Sequence, residues 1–225
     1  MSAREGKPVG PGTAEIVLAA ILSVLLGLVL GAAILVLQPV AVVKELPAAK
    51  DRPRGMVYHI PGKQDSSKGA EALRKRQLFM GGQSISLSEE ELNLLFAPPA
   101  TGSAGRKESK NEVVIGGLFA VGEPNVRLAD GVIQLAAPVR LVMPDVGVRF
   151  IVQIRGTMAR GSGGFVFAPS EIHVGSCPVG ALPFVSGMVR SRLGTLDVIP
   201  DDLRTNWLKL AEARVDGNLL RLRLP

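Results

Sequence analysis

The sequence predicts an α+β protein: an N-terminal transmembrane helix, then one antiparallel β-sheet domain with helices packed on one face. Three observations predict it. The 22 residues Ile16–Leu37 carry no charge. Val126–Leu135 folds back on itself as a hairpin whose polar and apolar faces agree. Ser88-Glu89-Glu90-Glu91 opens a helix amid strand-patterned sequence.

The uncharged run has Ser23 as its one clearly polar side chain. At helical rise it reaches about 33 Å, enough for a hydrocarbon core of roughly 30 Å. Residues 16–38 are therefore assigned to a single span and 1–15 to an N-terminal tail. A cleaved signal peptide would have a shorter apolar region, about 7–15 residues, ending at a small-residue cleavage site. No such site precedes Pro39, and the one cysteine, Cys177, is too distant for lipoprotein processing. Ala19, Ser23, Gly27 and Gly31 fall four apart, and Gly27-Leu-Val-Leu-Gly31 is a GxxxG pattern. Small residues at this spacing let helix backbones approach closely, so the stripe is a candidate contact for self-association or a partner span.

Arg4 and Lys7 flank the span on one side, and Lys44, Lys50, Arg52 and Arg54 on the other. Counted literally, the basic flank would hold the large domain in the cytoplasm. Long C-terminal domains translocate despite such charge, however. The expectation is a signal anchor in the cell inner (plasma) membrane with the large domain extracytoplasmic.

Net charge is +6, unevenly spread. Lys44–Arg76 has nine basic and four acidic residues, whereas Asn111–Pro225 has twelve and ten. The surplus lies next to the membrane, where Lys44, Lys50, Arg52 and Arg54 are candidate contacts for anionic lipid head groups. Aromatics make up 4% of the chain, and no basic stripe with interleaved aromatics is present, which argues against nucleic acid as a partner.

Residues 39–82, rich in Pro, Gly and Lys, read as a juxtamembrane basic linker containing a short strand, Val57–Ile60, and a basic helix, Gly69–Phe79. Residues 83–225 form the α+β domain. Gln83–Leu87 alternates as a strand. Ser88 and Glu91 form a capping box, and three acids suit the first turn of the helix. Leu92, Leu95 and Phe96 give that helix an apolar face, and Pro98-Pro99 stop it. Residues 97–110 are expected to be a flexible loop.

From Asn111 the pattern turns to strands, and Glu112–Val121 is apolar and rich in Val and Ile. With Asp130-Gly131 as a two-residue turn, Leu128 faces Ile133, Val126 faces Leu135, and Arg127 faces Gln134. No slip preserves that agreement. Val148–Arg155 alternates cleanly. Phe165 and Phe167 then disagree in phase with Ile172 and Val174, which a bulge or bend near Pro169-Ser170 would repair. Pro183–Arg192 reads as a helix with Phe184, Met188 and Val189 inward. Pro200–Leu210 reads as a helical turn followed by extended chain, with Trp207 in the core, and a hairpin at Asp216-Gly217-Asn218 closes the domain.

Leu87-Ser88-Glu89-Glu90-Glu91-Leu92-Asn93-Leu94-Leu95, the hairpin Val126–Leu135, and Ile172-His173-Val174-Gly175 leading to Ala181-Leu182-Pro183 resemble the YpmS-like family of bacterial single-span membrane proteins. The resemblance implies one extracytoplasmic α+β domain behind a membrane helix. That family has no settled activity, so no catalytic residue comes with it.

Enzyme chemistry finds little support. Glu171 and His173 share a strand face as a candidate acid–base pair, but a cross-strand surface pair needs no chemistry. His59 lies far away in the chain. No G-x-S-x-G, H-E-x-x-H, phosphate-binding or dinucleotide motif is present, and no cofactor or metal is expected. Cys177 lies in an apolar stretch, as a buried thiol would. The expected function is a membrane-anchored, non-enzymatic binding or scaffold module of the cell envelope. The alternative is a lipid or hydrophobic-ligand carrier, because the same alternation builds either a solid core or a cavity.

Overall fold

A computed structural model describes residues 12–38, 40–53, 56–96, 112–115, 117–142, 147–161, 163–181, 187 and 199–225. The expected loop 97–110, the expected helix Pro183–Arg192 (Gly187 apart), and Arg4, Lys7 and Arg54 lie outside the described residues. The chain divides into two units, Met1–Leu35 and Val36–Pro225.

Helix α1, Thr13–Leu37, has a mean hydropathy of 2.9 over its most apolar window and is long and apolar enough to cross a membrane. Its large side chains stand in the open, Leu28 at 66% and Val29 at 65% exposure.

The second unit is α+β. Strand β1 (Ala41–Val42) pairs in parallel with β2 (Tyr58–His59). Next come α2 (Gly69–Met80), β3 (Ile85–Ser88) and α3 (Glu89–Phe96), then strands β4 (Val113–Ile115), β5 (Phe119–Val121), β6 (Asn125–Ala129), β7 (Val132–Leu141), β8 (Arg149–Gly161) and β9 (Gly164–Val174). Helix α4 (Asp201–Trp207) precedes β10 (Glu212–Asp216) and β11 (Leu219–Arg223). The antiparallel strands divide between two sheets. Six strands run β4-β5-β7-β8-β9 with β6 also on β7, and three run β10-β11-β3. Between them and the helices lies a core that includes Phe79, Leu87, Leu92, Val126, Ile133 and Leu222.

Register follows the alternation. Leu128 pairs with Ile133, Val126 with Leu135 and Arg127 with Gln134. The turn residues Asp130 and Gly131 have φ of 53° and 78°, the left-handed pair that a type I′ turn requires. Between β8 and β9 the register shifts after Arg155, which pairs with Glu171 while Gly156 pairs with Pro169. Ser170 is thus the extra residue of the expected bulge, and its Oγ donates to the Arg155 carbonyl at 3.2 Å.

Several expectations need correction. Much of the expected linker 39–82 belongs to the folded unit: His59, Ile60, Ala72 and Phe79 are buried. Its basic residues mask the few apolar positions that pack. Glu112–Val121 does contain strands, as its Val- and Ile-rich sequence leads one to expect, in two pieces around a turn at Gly117-Leu118, where Gly117 has φ of 70°. The segment after Pro200 stays helical to Trp207 instead of turning extended.

Helix α3 closes an open strand edge. The capping box forms, with the Ser88 N–H donating to Glu91 at 2.8 Å and the Glu91 N–H to Ser88 Oγ at 3.4 Å. Glu91 is buried and paired with Lys75 at 2.6 Å. One turn apart, Glu89 and Asn93 project from the same helix face toward β6. The Leu128 N–H donates to Glu89 at 2.8 Å and the Val126 N–H to Asn93 Oδ1 at 2.6 Å. Asn93 Nδ2 donates to the carbonyls of Val126 at 2.8 Å and Lys63 at 2.9 Å. These side chains satisfy the outward backbone groups of β6, as another strand would.

Gly62 lies in this clamp. A Cβ built there would collide with the Val126 carbonyl oxygen and come within 2.9 Å of Asn93 Nδ2. Gly62→Ala is expected to cost about 1–3 kcal/mol, as overpacking does. A denaturant midpoint within error of the parent's would refute that.

Candidate functional site

A cavity of about 630 Å³ opens between the six-stranded sheet and the elements facing it. Alternate strand positions point one way, so the large sheet presents Val126, Leu135, Ile154 and Phe167 to the cavity. Leu87 and Leu220 line it from the small sheet. Phe79 of α2, Leu92 of α3, and Leu203 and Trp207 of α4 complete the wall. Among the described residues, Arg76 is the one charged residue that lines it.

Polar contacts fix the helical wall in place. Asn206 donates to the carbonyls of Phe79 at 2.7 Å and Met80 at 2.8 Å, tying α4 to the end of α2. Trp207 Nε1 donates to the Phe165 carbonyl at 2.7 Å. Its indole meets Phe79 edge-on, ring centres 6.5 Å apart. Trp207 therefore anchors the core as expected, with its single N–H satisfied. Arg76 spans the same two helices through an ion pair of 2.6 Å to Asp202.

The opposite face of the large sheet holds a buried polar cluster. Gln134 Nε2 donates to Gln153 Oε1 at 2.9 Å. Gln153 pairs across the ladder with His173, and its side chain lies near enough to His59 to favour the protonated imidazole. The fold thus brings both histidines to one glutamine. Burial holds the imidazoles of His59 and His173 below their ordinary value of 6.5; the Gln153 side chain offsets part of this for His59 and the Glu171 charge part of it for His173. Glu171 ion-pairs with Arg155 at 3.6 Å on an exposed patch, and its charge also favours the protonated form of His173. Among the described residues, no three His, Cys, Asp or Glu side chains are grouped to hold a metal.

These histidines make stability depend on pH. The unfolded chain takes up their protons at higher pH than the fold does. Their contribution is therefore complete above about pH 6.5 and declines as pH falls toward the depressed folded values. The melting temperature should drop on acidification below pH 6.5, and His59→Gln should flatten that drop. An unchanged slope would show that His59 does not contribute.

The remaining sequence-selected residues occupy other places. Ala19, Ser23, Gly27 and Gly31 lie along α1, and a Cβ at Gly27 or Gly31 would meet nothing within 4 Å. Lys44, Lys50 and Arg52 are exposed, with Arg52 Nε donating to the Pro47 carbonyl at 2.7 Å. Cys177 is buried and free. The cavity itself was not legible in the sequence, because alternation marks which residues point inward and not whether they meet. No family model, no curated protein and no solved structure matches the chain.

Proposed function

We propose that this chain is a single-pass membrane protein of the bacterial cell envelope whose domain is a non-enzymatic module for binding an apolar ligand, in the manner of a lipid carrier. The supporting observation is the cavity: about 630 Å³, apolar in nearly all its lining, attached to a membrane helix. That volume falls within the roughly 300–1,000 Å³ of small-molecule sites. The cavity shifts the balance from a pure scaffold toward the ligand-binding alternative. The YpmS-like resemblance and an extracytoplasmic domain in the plasma membrane belong to the same proposal.

The test uses the full chain in phosphatidylcholine nanodiscs with a photoreactive, diazirine-bearing hexadecanol. Covalent adducts on peptides of β7, β8 and α4 are expected. Labelling confined to α1 would leave only a membrane anchor. Sidedness is tested with a reporter fused after Pro225 that is active only outside the cytoplasm; an expressed but inactive fusion would favour the basic flank at Lys44, Lys50 and Arg52.

The open stripe on α1 suggests a helix contact in the membrane as well. Replacing both Gly27 and Gly31 by Ile should abolish self-association in a membrane reporter. An unchanged signal would rule the contact out.

A further inference from the structure

Among the described residues, the proposed apolar site has one charged residue in its lining, and it is cationic. Arg76 lines the cavity, and its side chain is 38% exposed overall. Its Nη2 is engaged by Asp202, whose side chain is 34% exposed. Its Nε is buried and has no hydrogen-bond partner among the described residues. A guanidinium presents five donors in a rigid fork, so a second anion can bind it beside or in place of a first. A part-exposed ion pair such as Arg76–Asp202 is weak enough to be exchanged.

The size of the cavity restricts the tail. Water takes about 30 Å³ per molecule in the liquid and a methylene is of similar bulk, so 630 Å³ holds roughly 20 such groups. That is the bulk of one long alkyl chain. Resting on the proposed apolar site, we infer that the ligand is a single-chain amphiphile with an anionic head, a carboxylate or a phosphate monoester. Its chain fills the cavity and its head meets Arg76. The membrane holding α1 is a ready source of such molecules.

The test compares photoreactive analogues of palmitic acid, hexadecyl phosphate and hexadecanol. The full chain is held in phosphatidylcholine nanodiscs at a pH above the fatty acid's pKa. Adducts on cavity peptides are quantified against probe concentration. At least one anion should label at about tenfold lower concentration than the alcohol, the scale of a charge-assisted hydrogen bond. Preference for the carboxylate or for the phosphate identifies the head group. Arg76→Gln should remove the advantage of the anions over the alcohol. Asp202→Asn, which frees the guanidinium, should strengthen anion labelling, and this arm decides the matter if Arg76→Gln fails to fold. Equal labelling by all three probes in the parent chain would overturn the anionic head while the apolar site stands. Weaker anion labelling in Asp202→Asn would overturn it too. No cavity labelling by any probe would remove both.

Discussion

Asn93→Ala is expected to destabilise the domain by about 3–6 kcal/mol, a large share of the roughly 5–15 kcal/mol that holds a domain folded. The amide of Asn93 serves three backbone groups: the N–H and carbonyl of Val126 and the carbonyl of Lys63. Asn93 is 3% exposed, so water does not readily replace it. Each backbone group left buried and unpaired costs about 1–3 kcal/mol. The same truncation opens the edge of β6 to pairing with other chains, so the variant should also aggregate during refolding. Urea or guanidinium titration measures the loss. A cost below about 1 kcal/mol would mean that α3 packs on β6 without sealing it.

Ala137→Trp is expected to abolish uptake of the hexadecanol probe while leaving the domain folded. Ala137 lines the cavity from β7, opposite Val152 of β8. In a filled core, so large an insertion would cost about 1–3 kcal/mol or more through forced rotamers and backbone shifts. In an open cavity the indole occupies the ligand's space and gains apolar contact. Loss of photolabelling with an unchanged melting temperature is the expected pair of results. Retained labelling would move the ligand elsewhere, and a large fall in stability would show a solid core.

The features legible in the sequence were those in which neighbouring residues check one another. The Val126–Leu135 hairpin has a single register that keeps Arg127 and Gln134 off the core, and that register forms. The phase jump between Phe167 and Ile172 needs one extra residue, and Ser170 supplies it. Ser88 and Glu91 cap each other within four residues. What escaped depends on distant partners. The second sheet exists because Leu220 and Leu222 pair with Leu87 and Ile85, more than a hundred residues away in the chain. Phe79 looked like the end of a linker helix until Trp207 met it. Glu89 read as a dipole-compatible first-turn acid, and only the placement of β6 reveals it as a backbone acceptor.

The convergence of His59 and His173 on Gln153 has the same origin. Local pattern places His173 on a strand face, but the strand that brings His59 to it is two residues long and follows a Pro- and Lys-rich stretch. The cavity is still less local. It is the gap left between two sheets and three helices, and no single segment encodes its volume.

Native mass spectrometry of the full chain, released from nanodiscs beside Ala137→Trp, tests the central claim most directly. A single-chain lipid mass retained on the parent protein and absent from Ala137→Trp is the expected result. A parent chain that emerges bare, or a lipid held equally by both proteins, would contradict a ligand in the cavity.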